Sequence, residues 1–158
     1  MAITLKEGDK APAFKAKDQN DNTVQLADFS GKKLILFFYP KDNTPGCTKE
    51  ACNLRDNHDY WINQGYAVLG VSPDGAASHQ KFIEKFDLPF PLLADTEKEV
   101  MAAYGTWGEK NMYGKIRMGV LRTTFVIDEE GTIIKIFKRP KTAEHTEQIS
   151  KALDLPTI

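Results

Sequence analysis

Two thiols lie in one stretch of this chain, Pro40-Lys41-Asp42-Asn43-Thr44-Pro45-Gly46-Cys47-Thr48-Lys49-Glu50-Ala51-Cys52, and the sequence holds no other cysteine. Thr44-Pro45 reads as the N-cap and first position of a helix, which places Cys47 in its first turn. There the backbone N–H groups lack intrahelical partners and the helix dipole is positive, so a thiolate is favoured over a thiol. Cys47 is therefore a candidate nucleophile. On an ideal helix a separation of five residues puts the two Cα atoms roughly 8 to 9 Å apart on different faces, whereas a disulfide needs less than about 7 Å. A bond between them requires the first helical turns to unravel. Other readings compete at this point. Cys52 is in part explained as a small buried hydrophobe. Zinc would need four ligands, and His58 lies roughly 16 Å up the helix from Cys47. A thioredoxin-type dithiol has two residues between its cysteines, and four stand here, which favours some other thiol chemistry.

The elements that must position these residues follow from the hydrophobic pattern. Leu34-Ile35-Leu36-Phe37-Phe38-Tyr39 is continuously apolar, as in a strand covered on both faces. A helix is expected from Pro45 to Asn63, with Ala51, Leu54, His58, Trp61 and Ile62 on an apolar stripe, then a second buried strand over Tyr66–Ser72. Strand, helix, strand implies a right-handed βαβ unit with a parallel pair. Ala11–Ala16 and Thr23–Leu26 suggest an N-terminal hairpin. Further on come a helix over Ser78–Phe86 and a strand over Phe90–Asp95, whose Pro91 suggests an edge or a strand start. A short helix over Thr96–Tyr104 follows. Residues 105–119 show no periodicity and read as a long functional or mobile loop. Thr123–Ile127 and Thr132–Phe137 flank Asp128-Glu129-Glu130-Gly131 as an antiparallel hairpin, and Ala143–Leu153 closes the chain as an amphipathic helix. The order predicts an α/β protein, a central mixed sheet with helices on both faces, in one domain over residues 1–158.

The bulk composition excludes several functions. The 158 residues are 41% hydrophobic, enough for a core. A formal net charge of -1 from 21 basic and 22 acidic residues gives no global field for nucleic acid or an anionic membrane. Lys110, Lys115 and Arg117 are too few for a nucleic-acid surface. The segment Met1–Gly8 lacks the apolar core of a signal peptide, and no run approaches the ~18 apolar residues of a spanning helix. A soluble, cytoplasmic protein is expected, in which two cysteines rest as thiols.

Pro40-Lys41-Asp42-Asn43-Thr44-Pro45-Gly46-Cys47 fits the PxxxTxxC signature of the peroxiredoxins, and Gly46-Cys47-Thr48-Lys49-Glu50-Ala51-Cys52 resembles the peroxiredoxin Q subfamily, also called bacterioferritin comigratory protein. Phe37-Phe38-Tyr39-Pro40, Trp107-Gly108-Glu109-Lys110, Met112-Tyr113-Gly114-Lys115 and Leu121-Arg122-Thr123-Thr124-Phe125-Val126-Ile127-Asp128 extend the resemblance along essentially the whole chain. It implies a thioredoxin-like fold and a thiol peroxidase acting on hydrogen peroxide or alkyl hydroperoxides, with no metal, haem or flavin. By the same resemblance Cys47 matches the peroxidatic cysteine, oxidised to a sulfenic acid, and Cys52 the resolving cysteine that forms an intramolecular disulfide with it. Thr44 would offer its hydroxyl to the thiolate and peroxide, Pro40 would shield the site, and Arg122 would stabilise the thiolate and the leaving oxygen. An external dithiol, usually thioredoxin, would reduce the disulfide. A monomer is expected, because resolution by Cys52 needs no second subunit.

Physical chemistry supports the central roles: displacement at an O–O bond needs an ionised sulfur and a cation for the departing oxyanion. Glu50 and Arg55 are each equally well read as partners within the site or as solvated surface charges. His58 sits on the apolar stripe, and His79 and His145 are expected on helix surfaces. Trp61 reads as core. Trp107, Met112 and Tyr113 line the rim of the site or cover the sheet edge. The alternatives to a peroxidase are a protein dithiol-disulfide oxidoreductase and a non-catalytic redox-sensing module.

Overall fold

A computed structural model describes residues 3–156. In chain order it contains β1 (Lys15–Lys17), β2 (Thr23–Gln25), β3 (Lys33–Phe38), α1 (Pro45–Asp56), α2 (His58–Asn63), β4 (Tyr66–Ser72) and α3 (Ala76–Phe86). These are followed by β5 (Leu92–Ala94), α4 (Glu99–Tyr104), β6 (Trp107–Met112), β7 (Lys115–Val120), β8 (Thr123–Ile127), β9 (Ile133–Phe137) and α5 (His145–Ala152).

Five strands form one mixed sheet in the order β5-β4-β3-β8-β9, with β3 parallel to β4 and antiparallel to β8. The continuous apolar run of β3 is explained by its central place, since Leu34 to Phe38 are all buried. The pleat sends Ile35 and Phe37 to one face, where they pack with α1, α2, α3 and α5. Leu34, Leu36 and Phe38 point to the other, against α4 and the N-terminal segment. A methyl group on Gly70 would come within 2.6 Å of Leu92 and 2.8 Å of Phe37, so both side chains reach β4 this closely only because that position has no side chain. β5 is the sheet edge, directly after Pro91, as expected. β1 and β2 pair as the expected small hairpin.

Several expectations fail. The helix over Pro45–Asn63 is two helices, interrupted at Asn57, whose side-chain amide donates to the Asn53 carbonyl at 2.8 Å and competes with the backbone for it. Ile62, expected on the apolar stripe, is 53% exposed. The supposed loop over residues 105–119 is instead the β6–β7 hairpin. Its turn, Tyr113-Gly114, takes positive φ at both positions, as a two-residue hairpin turn requires. No alternation announced it because most β7 side chains face water. Tyr113 stands fully exposed at the turn, Ile116 and Met118 are exposed along it, and Trp107 packs on the second apolar cluster beneath the Lys98 ammonium. The Met112 side chain lies outside the described residues. No helix among the described residues is long and apolar enough to cross a membrane.

Candidate active site

The chain leaves β3 at Phe38 and must turn sharply to enter α1. Asn43 takes a left-handed φ of 60°, and Thr44 is the extended N-cap with Pro45 following it. Asp42 anchors this loop from within. Its carboxylate accepts from the Tyr39 hydroxyl at 2.6 Å and the Ser78 hydroxyl at 2.8 Å, and it lies 2.6 Å from His79 Nδ1. The other ring nitrogen, Nε2, donates to the Leu93 carbonyl at 2.8 Å. His79 is thus buried, not on a surface, because α3 packs that face on β5 and the loop. Neither Asp42 nor His79 stood out in the sequence as a support of the site.

Cys47 lies in the first turn of α1 and is 1% exposed. Arg122, in the two-residue connection between β7 and β8, reaches across to it. Arg122 Nη2 donates to Cys47 Sγ at 3.2 Å, and Nη1 donates to Glu50 Oε1 at 2.8 Å. A methyl group on Gly46 would sit 3.3 Å from Nη2, so the glycine leaves room for the guanidinium. Burial works against the Arg122 charge, but the guanidinium stays protonated, so the cation is secure. The sulfur here faces a fixed cation, which would hold charge on an oxygen leaving from it.

The remaining predicted residues fall as follows. Glu50 is fully buried against Arg122 and not paired with a lysine in water. Cys52 is a half-buried thiol five residues on in the same unbroken helix, and burial raises its pKa. Thr44 borders the site, but its hydroxyl donates to the Lys41 carbonyl at 2.9 Å and not to Cys47. Pro40 is half-buried at the exit from β3. Arg55 is away from Cys47's network, bonded to Asp56 and to the Phe86 carbonyl. Trp61 is core, its indole donating to Thr146 Oγ1 at 3.2 Å. His58 is half-buried beside Phe90.

His145, expected on a surface, is fully buried under the site. Its Nε2 lies 2.8 Å from Thr124 Oγ1 and 3.6 Å from Glu50 Oε2, and its Nδ1 lies 2.9 Å from Gln148 Oε1. It was missed because a histidine on an amphipathic helix gives no sign of which face it takes. Burial raises the Glu50 pKa to about 7 against the opposing pull of Arg122, and burial lowers that of His145 to about 4. Among the described residues no group of three or more His, Cys, Asp or Glu side chains is placed to hold a metal ion.

The AhpC/TSA family matches residues 7–136. Peroxiredoxin Bcp of Bacillus subtilis is 43% identical over 151 residues, 96% of each chain. Among solved structures, Xanthomonas campestris bacterioferritin comigratory protein, in a study of its alkyl peroxide reduction activity, is 33% identical with a TM-score of 0.83, covering 89% of this chain and 90% of its own. A cysteine-to-serine mutant of Xylella fastidiosa PrxQ is 29% identical with a TM-score of 0.88, covering 97% of this chain and 98% of its own.

Proposed function

Because the chain belongs to the AhpC/TSA family, among its peroxiredoxin Q and Bcp members, it is a thiol peroxidase with a thioredoxin-like fold, and we propose that Cys47 is the sulfur that attacks the peroxide. The observation that carries this is Arg122 Nη2 at 3.2 Å from Cys47 Sγ at the start of α1.

The Cys47 thiolate displaces at the terminal peroxide oxygen. The S–O bond forms as the O–O bond breaks, Cys47 becomes a sulfenic acid, and the alkoxide or hydroxide takes a proton to leave as alcohol or water. Arg122 stabilises first the thiolate and then the departing oxyanion, with a fork of donors that a lysine lacks. Pro40 keeps water from the sulfur. Thr44 enters by turning its hydroxyl from the Lys41 carbonyl toward the peroxide. The Cys52 thiolate then attacks the Cys47 sulfur, the S–O bond breaks as the disulfide forms, and the departing hydroxide takes a proton to leave as water. A thioredoxin-type dithiol reduces it in an intracellular, cytoplasmic setting. Hydrogen peroxide and alkyl hydroperoxides are both substrates on this reading. The protein acts as a monomer, since both sulfurs belong to one helix of one chain.

Peroxide consumption coupled to thioredoxin tests the assignment. Cys47→Ser is expected to abolish turnover, and Arg122→Ala to slow the peroxide step by about 100- to 1,000-fold, the usual loss for one donor to a developing oxyanion. Full activity in Cys47→Ser would overturn it.

A further inference from the structure

The hydrogen bonds behind the site fix where one buried proton resides. The Lys141 amide donates to Gln148 Oε1 at 2.8 Å, so that oxygen is an acceptor. Gln148 Nε2 donates to the Arg139 carbonyl at 3.3 Å, which fixes the same orientation of the amide. His145 Nδ1, 2.9 Å from Gln148 Oε1, must therefore carry a hydrogen. In the neutral ring Nε2 then offers a lone pair, which accepts from the Thr124 hydroxyl at 2.8 Å and faces Glu50 Oε2 at 3.6 Å. That carboxyl oxygen is buried and has no hydrogen-bond partner among the described residues. A carboxylate here would set a charged oxygen against a lone pair with nothing donating to it. A carboxylic acid sets no charge against that lone pair, which the Thr124 hydroxyl already occupies.

We propose that Glu50 works as a neutral carboxylic acid, so that it orients Arg122 through Oε1 without cancelling the guanidinium charge that serves Cys47. His145, held by Thr124 and Gln148, turns a lone pair and not a donor toward Glu50 Oε2. The titratable and charged groups facing Glu50 are Arg122 ahead of β8, His145 on α5 and Cys47 a turn earlier on α1. Those facing His145 are Glu50 and Arg122. Burial, which raises the Glu50 pKa to about 7, agrees with the geometry. As pH rises past that value Glu50 ionises, takes a share of the Arg122 charge and adds a negative charge beside the sulfur. The peroxide reaction of Cys47 then slows on a descending limb.

This rests on the reading of Cys47 and Arg122 given above, and two independent measurements separate the two ideas. In the infrared spectrum of the reduced protein at neutral pH, the carbonyl stretch of a protonated carboxyl is expected and is lost in Glu50→Gln. Absence of any such difference overturns the proposal. In the pH profile of the single-turnover peroxide reaction, Glu50→Gln is expected to remove the descending limb, whatever it does to the maximum. A limb that persists in Glu50→Gln overturns the proposal. Peroxide rates indifferent to Cys47→Ser would instead remove the underlying reading and leave the infrared result standing.

Discussion

Cys47 and Cys52 differ by one helical turn and a half, yet their surroundings divide the labour. Cys47 faces Arg122, whereas Cys52 is a half-buried thiol with its pKa raised by burial, a poor competitor for peroxide. Cys52→Ser is therefore expected to give one peroxide turnover at the wild-type rate and then stall as a sulfenic acid open to further oxidation, seen by mass spectrometry as added oxygen on Cys47. Sustained turnover with thioredoxin would mean that another thiol resolves the intermediate. At this scale the sequence disclosed the residues with distinctive neighbours, Cys47 by its place after Thr44-Pro45 and Arg122 by its resemblance to a known segment. It did not disclose Asp42, His79 or His145. Their importance lies in what a buried polar group meets across the fold, and nothing in their own neighbourhood of the chain records it.

Between elements, the contact that governs the two cysteines is the clasp of α1 on α5. Asn53, directly after Cys52, accepts from the Thr146 amide at 2.7 Å and donates to the Ala143 carbonyl at 3.0 Å, so one side chain caps α5 and ties α1 to it. Joining Cys47 to Cys52 demands that α1 unwind up to this point. Asn53→Ala is expected to lower stability by about 1 to 2 kcal/mol in denaturant titration and to speed disulfide formation after peroxide, followed by Trp61 fluorescence. A loss of stability with an unchanged resolution rate would show that the clasp does not limit unwinding. The strands with buried faces were all legible, because burial imprints hydrophobicity on sequence. The β6–β7 hairpin was not, because most β7 side chains face water, and Tyr113-Gly114 was its one local signal. The break at Asn57 was hidden for a different reason: a side-chain amide competing for one carbonyl leaves no trace in periodicity.

For the whole molecule, the buried Glu50 and His145 set opposed dependences of stability on pH. Glu50 rises from 4.5 to about 7 on folding, so across that window the folded protein keeps a proton that the unfolded chain releases, and stability falls as pH increases. His145 drops from 6.5 to about 4, so there the unfolded chain binds the extra proton and stability increases with pH. The two slopes oppose each other where the windows overlap. Glu50→Gln removes the first alone, and its stability relative to wild type is expected to improve by roughly 3 kcal/mol between about pH 4 and pH 8, measured by urea unfolding. A difference that stays flat with pH would refute the raised Glu50 value. The mixed sheet with helices on both faces was legible as a whole, since it follows from element order and buried strands. One last consequence concerns Lys49, exposed between the two cysteines on a helix that reduced protein keeps wound. A protease needs an extended segment, so trypsin should pass over Lys49 in the reduced protein and cut there once the disulfide has pulled the turn open. The cut chain would gain the mass of one water yet stay in one piece, stapled across its own break, and would fall into two fragments only when a reductant opens the disulfide.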